Sequence, residues 1–393
     1  MRASPLRGLR AVVTKELRQV RRDPATLFLA LLIPVVQLTI FGYAIDTEIR
    51  DIPTVVVDRS RTRSSRAFTE ALGAIGDRRA LDPLIAALQD KSSHVCRAAV
   101  QVLAEKLAGK HGVSPAAITL GNGSNDVLDM IARVFLAPGK ESLFSQYAFA
   151  VYPISSMAVG ATLRIVPAVD YGHDLVAMRA MLTERTGVVW IANPNNPTGT
   201  HLGKSALRQF IESVPSHLIV VIDEAYFEYA NDDDFPDASQ WLGDFPNLIV
   251  TRTFSKAYGL AALRVGYGLS HPDIADLLNR VRQPFNVDSF AQAAALAALQ
   301  DQDYLRRSVE VNEQGMRQLT AGIERLGLEY IPSAGNFLTI DLGRDAGPVD
   351  QALLRLGVVT RPVANYGLPN HLRVSIGLAD ENSRFLAALE QVL

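Results

Sequence analysis

A single cysteine, Cys96, stands among the 393 residues. One thiol excludes an intramolecular disulfide and a cysteine-rich metal centre. The seven histidines are scattered, with no His-x-x-x-His pair and no Cys/His cluster, so no zinc site is expected. Neither sign of charge dominates. The 39 basic and 41 acidic side chains leave a net charge of −2, which gives no compositional support for nucleic acid or any other polyanion as a partner. The acidic run Asp232-Asp-Asp234 has no spaced ligands around it and reads as a solvated loop rather than a cation site. What remains is a globular composition, 48% hydrophobic and 20% charged, with length for two or three domains and a large core.

Long apolar runs are also scarce. One exists: residues 24–45 carry no charge and have about the 20 residues needed to cross a bilayer. Arg2, Arg7, Arg10, Lys15, Arg18, Arg21 and Arg22 precede it, and Asp46, Glu48 and Asp51 follow, a bias that puts the N-terminus in the cytosol. The apolar core is too long for a signal peptide and no small-residue cleavage site follows. Lys15 to Pro24 and Phe41 to Ile45 resemble the start of an ABC-2 type transporter permease, a likeness confined to about residues 1–66. The alternative is a buried hydrophobic helix; a segment of membrane origin is favoured, and membrane contact is expected only through 24–45. Residues 67–105 then read as a helical hairpin, Phe68 to Asp90 and Ser93 to Leu103, joined at Asp90-Lys-Ser-Ser. The hairpin resembles a HEAT-like repeat, and one and a half units cannot stack into a solenoid.

From about residue 106 the pattern alternates between strand and helix. Strands are predicted at Ala117 to Leu120, Thr162 to Val166, Gly187 to Ala192, Leu218 to Ile222 and Leu248 to Arg252, with helical segments between them. That rhythm predicts an α/β fold with a mainly parallel sheet over 106–275. A smaller α+β domain is expected over 276–393, with strands at Phe337 to Asp341 and Leu372 to Ile376 after a long helical stretch interrupted near Gln283 to Val287.

Three motifs carry chemistry. In Thr253-Phe-Ser-Lys-Ala-Tyr-Gly259, Lys256 lies between the apolar run Leu248 to Val250 and a second strand-like run, Arg264 to Leu269. Burial disfavours a charged lysine, and a desolvated amine is a nucleophile toward carbonyl compounds, able to form a Schiff base. On that stretch alone a solvated loop lysine is the commoner case. Asn193-Pro-Asn-Asn-Pro-Thr-Gly199 and Asp223-Glu-Ala-Tyr226 each follow an apolar run, so their polar residues sit at strand C-termini, where open α/β sheets collect ligands.

This ordered set resembles the fold-type I aminotransferases, in detail those acting on histidinol phosphate, over roughly residues 104–393. The resemblance implies pyridoxal 5'-phosphate as cofactor, held by Lys256, with Asp223 on the pyridine nitrogen and Asn196 and Tyr226 on the phenolic oxygen. It implies Lys256, Asp223 and Tyr226 as the catalytic set. Gly123, Ser124 and Asn125 would cradle the phosphate, with Ser255 and Arg264 completing it. Phe149 would lie against the ring face. Arg373, in His371-Leu-Arg-Val-Ser-Ile-Gly377, would bind the substrate anion, with Arg361 as a second candidate. Further implications are a small-molecule amino donor, a 2-oxo acid, a cytoplasmic homodimer and no metal. The near alternative is another amino substrate, such as an aromatic amino acid; the distant one is a membrane-tethered, transporter-related fusion with an inactive enzyme half. Members of the family carry an N-terminal arm with Asn-Pro and Tyr-Pro elements, and neither occurs here in the expected place. The chain reads as a fusion of three fragments whose third binds cofactor but turns over slowly.

Overall fold

A computed structural model describes residues 93–393. The apolar stretch 24–45, the permease-like segment and the first HEAT-like helix lie outside the described residues. Among the described residues no helix is long and apolar enough to cross a membrane.

The first helix, α1 (Ser93–His111), runs straight through the boundary expected at residue 105. Leu103, Leu107 and Ala108 share one helix face and are buried in the same core as Ile118, Leu120, Leu269, Ala291 and Ala295. From Leu103 onward this helix is thus part of the α/β body.

The body continues through β1 (Ile118–Asn122), α2 (Ser124–Phe135), β2 (Glu141–Ser145), α3 (Val151–Ala158), β3 (Thr162–Val166) and α4 (Leu175–Ala180). Next come β4 (Thr186–Ala192), α5 (Lys204–Ser213), β5 (Ile219–Asp223), β6 (Leu248–Thr253) and β7 (Val265–Ser270). These strands form one seven-stranded sheet in the order β1-β7-β6-β5-β4-β2-β3. Only β7 is antiparallel to its neighbours, β1 and β6. The central strands are unbroken apolar runs because both faces are covered, as in parallel sheets generally. Val189, Ile191, Val220, Ile222 and Val250 face one core, and Val188, Trp190, Val221 and Ile249 face the other. β2 escapes the sequence pattern because Ser142 and Ser145 interrupt its apolar residues. It is buried throughout, and the Ser142 hydroxyl is satisfied by Trp190 and Ser156.

α6 (Pro272–Val281), α7 (Ser289–Gln300) and α8 (Gln302–Arg325) follow. Ile274 and Leu278 of α6 and Ala291 and Ala295 of α7 still pack into the large-sheet cores. Leu319 and Ile323 of α8 belong instead to a third core. The packing therefore changes along α8, well after residue 276. The third core lies under a four-stranded antiparallel sheet. Its strands are β8 (Glu329–Ile331), β9 (Phe337–Asp341), β10 (Arg361–Val363) and β11 (Leu368–Ser375), in the order β10-β11-β9-β8. α9 (Ala346–Arg355) and α10 (Ala379–Val392) complete it.

Candidate active site

The C-terminal ends of β4, β5 and β6 lie side by side, with Ala192 in register with Asp223 and Asp223 with Thr251. Ser124, Asn125, Phe149, Asn196, Asp223, Tyr226, Ser255, Lys256 and Arg264 line one cavity of about 220 Å³ there. Chain order and sheet order bring together residues spread over 140 positions, from Ser124 to Arg264.

Lys256 sits just past β6, half-buried, its Nζ 5.0 Å from the centre of the Tyr226 ring. Burial lowers the pKa of its ammonium; the charges of Arg373 and Arg264 add to this and Asp223 opposes it. More of the lysine is therefore the free amine, the form that attacks carbonyl carbon.

Asp223, buried at the tip of β5, accepts hydrogen bonds from the Thr251 hydroxyl on one oxygen and the Tyr152 hydroxyl on the other, both at 2.9 Å. Burial raises its pKa, and those two hydroxyls and Lys256 work against the rise. Tyr226 is buried edge-on to Phe337, with ring centres 5.2 Å apart, and burial pushes its hydroxyl well above the ordinary range. Asn196 lies in a turn with cis bonds at Asn193–Pro194 and Asn196–Pro197. Its side-chain oxygen accepts from Nη1 of Arg373, whose guanidinium lies 5.1 Å from the Phe337 ring centre.

At the other end of the cavity α2 begins at Ser124 behind Gly123, with no side-chain cap on its first turn. Uncapped N–H groups at a helix start favour an anion. Arg264, left-handed at φ 56° just before β7, donates to the Ser255 hydroxyl at 3.3 Å, and its guanidinium lies against Gly123 at that helix start. Gly123 has φ +76°, and a Cβ there would stand 2.5 Å from Nη2 of Arg264. A side chain at 123 would be strained by that positive φ and would displace the end of the Arg264 side chain.

Phe149 lines the cavity and meets Tyr152 edge-on, with ring centres 5.9 Å apart. Arg361 is not brought in. It pairs directly with Arg373 but lies exposed on β10, the edge strand; neither arginine lines the cavity, and Arg373 is tied to it through Asn196. Tyr152 and Thr251, the two partners of Asp223, were not among the expected residues. Thr251 could have been found by aligning the ends of the two apolar runs; Tyr152 lies on a helix and carries no such signal. Among the described residues no group of three or more ligating side chains could hold a metal.

The profile of the family "aminotransferase class I and II" matches residues 87–389, and that of the PBS lyase HEAT-like repeat matches residues 66–90. The chain is 62% identical over 287 residues to histidinol-phosphate aminotransferase 2 of Pseudomonas fluorescens, covering 73% of this chain and 78% of that protein. It is 60% identical to the protein of the same name from Pseudomonas aeruginosa, covering 74% and 79%. Among solved structures, histidinol-phosphate aminotransferase from Sinorhizobium meliloti in complex with pyridoxal-5'-phosphate superposes with a TM-score of 0.71 at 33% identity, over 75% of this chain and 81% of that one. Aspartate aminotransferase from Thermus thermophilus shares the fold, with a TM-score of 0.67 at 24% identity over 75% and 81%. The chain belongs to the aminotransferase class I and II family, the transaminases that its strand-end motifs resemble.

Proposed function

We propose that the chain transfers the amino group of L-histidinol phosphate to 2-oxoglutarate, with pyridoxal 5'-phosphate as cofactor. The observation that carries the reading is a single cavity in which a half-buried lysine lies among a buried carboxylate and an anion cradle. The residues fit the cofactor. Asp223 receives only neutral hydroxyls from side chains, so its charge is left for a ligand cation such as a protonated ring nitrogen. The glycine-bounded start of α2 with Ser255 and Arg264 suits a phosphate dianion.

When bound, the cofactor supplies an electron-withdrawing ring that stabilises the charge left at the substrate Cα when its proton departs. Everything else falls to the chain. Asp223 would keep the ring nitrogen protonated, Tyr226 and Asn196 would hold the phenolic oxygen, and Phe149 would cover the ring. Lys256 would hold the cofactor through its amine at rest and, when free, would take the Cα proton as a base and return a proton as an acid. Arg373 binds the substrate anion. Its fork serves the phosphate of histidinol phosphate in one half-reaction and a carboxylate of glutamate in the other.

A homodimer working in the cytoplasm is part of the proposal. So is slow turnover, since residues 1–103 carry neither the Asn-Pro nor the Tyr-Pro element of the family arm. Misplaced closure costs on the order of 10²-fold in rate. Purified protein should form glutamate from histidinol phosphate and 2-oxoglutarate, and replacing residues 1–92 by a family arm, which leaves α1 whole, should raise the rate without tightening cofactor binding. A preference for an aromatic amino acid over histidinol phosphate would move the substrate assignment; no transamination of either would overturn the proposal.

A further inference from the structure

Asp223 is gripped on the side away from Thr251 by a residue with an anchorage of its own. Tyr152 is 1% exposed, and its hydroxyl donates to Asp223 Oδ2 at 2.9 Å. Its ring stacks on that of Trp190, with centres 5.2 Å apart and planes 12° from parallel. Trp190 is fully buried and fixed in turn, its Nε1 donating to the Ser142 hydroxyl at 2.9 Å. Ser142 shares a 2.7 Å hydrogen bond with Ser156, which lies four residues after Tyr152 on α3. The contacts close a ring through α3, β4 and β2. Packing alone does not ask for this. A phenylalanine at 152 would keep the stack, and a phenol at this depth is costly unless bonded. Among the described residues, the one side-chain acceptor of the Tyr152 hydroxyl is the carboxylate of Asp223.

We propose that Tyr152 is a positioning residue that fixes the carboxylate plane of Asp223 and keeps that carboxylate ionised toward the cofactor ring nitrogen. The inference rests on the cofactor reading above. Tyr152 acts through Asp223, and Trp190, Ser142 and Ser156 hold it in place. Burial and the neighbouring carboxylate keep its own hydroxyl protonated, so it donates throughout the working pH range. Thr251 alone would leave Asp223 Oδ2 without a side-chain donor.

The test uses the holoenzyme and its Tyr152→Phe variant, which keeps ring and stack. The pH midpoint of the bound-cofactor absorbance should shift, and kcat should fall about 10- to 100-fold, the effect of one lost hydrogen bond to a charged group. KM should stay close to that of the parent. In an Asp223→Asn background the same substitution should add nothing to either readout. Ser142→Ala leaves Tyr152 and Asp223 chemically intact; it should move the midpoint in the same direction by less, and it serves as the readout should Tyr152→Phe not fold. An unchanged midpoint with a normal parent spectrum overturns the inference alone, as does an equal loss in the Asp223→Asn background. A parent protein with no cofactor band overturns the cofactor reading and the inference with it.

Discussion

Asp223 and Glu224 are consecutive at the end of β5 and bond to opposite sides of β6. Asp223 accepts from Thr251 on the cavity side. Glu224 accepts from Nε and Nη2 of Arg252 at 2.9 and 2.7 Å on the far side. The two rungs tie the strand bearing the candidate proton-holding carboxylate to the strand that leads into Lys256. Arg252 extends the tie. It also bonds Asp237 at 2.6 Å, and its guanidinium lies 3.5 Å from the centre of the Phe227 ring, next to Tyr226.

Arg252→Met should therefore be strongly destabilising. Burial already pushes the Glu224 carboxyl up to about 7 with the arginine in place. Removing the arginine leaves a buried acid with little but the Ala238 N–H to bond, a change worth about 3–5 kcal/mol. Replacing both partners, Arg252→Met with Glu224→Leu, should recover much of that loss, because no orphaned charge remains. Urea unfolding of the two variants checks the order; a single variant within about 1 kcal/mol of the parent would show that the tie is not structural.

Lys256→Ala should leave the fold intact, since it removes a half-buried cation whose charge is already disfavoured by burial. Pyridoxal phosphate should still enter the cradle but should no longer be fixed to the chain by borohydride. Turnover should drop by roughly 10²–10⁴-fold or more, the usual contribution of a positioned acid–base group. Peptide mapping that found reduced cofactor on another lysine would move the assignment.

Gly123→Ala tests the cradle. At φ +76° an alanine is strained by about 1–3 kcal/mol, and its Cβ would push on the guanidinium of Arg264. The expected result is weaker cofactor uptake, by about 10- to 100-fold, because both walls of the phosphate site shift. Equilibrium dialysis against pyridoxal phosphate measures it. An unaltered affinity would place the phosphate elsewhere.

What the sequence disclosed of this site follows from where its residues lie in the sheet. Asn196, Asp223, Tyr226 and Lys256 come directly after buried apolar runs, and the C-terminal edge of such strands is legible from pattern alone. Tyr152 and Trp190 could not be paired that way. One is on a helix and the other inside a strand, and only the three-dimensional crossing of α3 over β4 stacks them. Arg373 and, second to it, Arg361 were candidates for the substrate anion, and what separates them in the structure is sheet order, interior against edge. The same limit applies to α1. Leu103 and Leu107 have the spacing of any amphipathic helix, and that spacing does not say which surface covers it.

The last turn of α1 offers a test by pH. His111 is 8% exposed, its Nε2 3.0 Å from the Tyr267 hydroxyl and its Nδ1 3.4 Å from that of Ser239. Burial, with the charges of Arg252 and Lys110 behind it, lowers its pKa from 6.5 to about 4. Between those values the unfolded chain binds a proton that the folded one refuses, so stability rises with pH there. The stabilising contribution is present above pH 6.5 and is lost as pH falls toward 4, with a full span of about 3 kcal/mol. His111→Gln keeps a hydrogen-bonding side chain but does not titrate. It should flatten the stability profile between pH 6.5 and 4 while leaving the slope above pH 7 unchanged. Urea midpoints measured across that range decide the matter. A profile as steep in His111→Gln as in the parent would mean that the proton is taken up elsewhere, and that the end of α1 is less firmly built into the enzyme core than its burial implies.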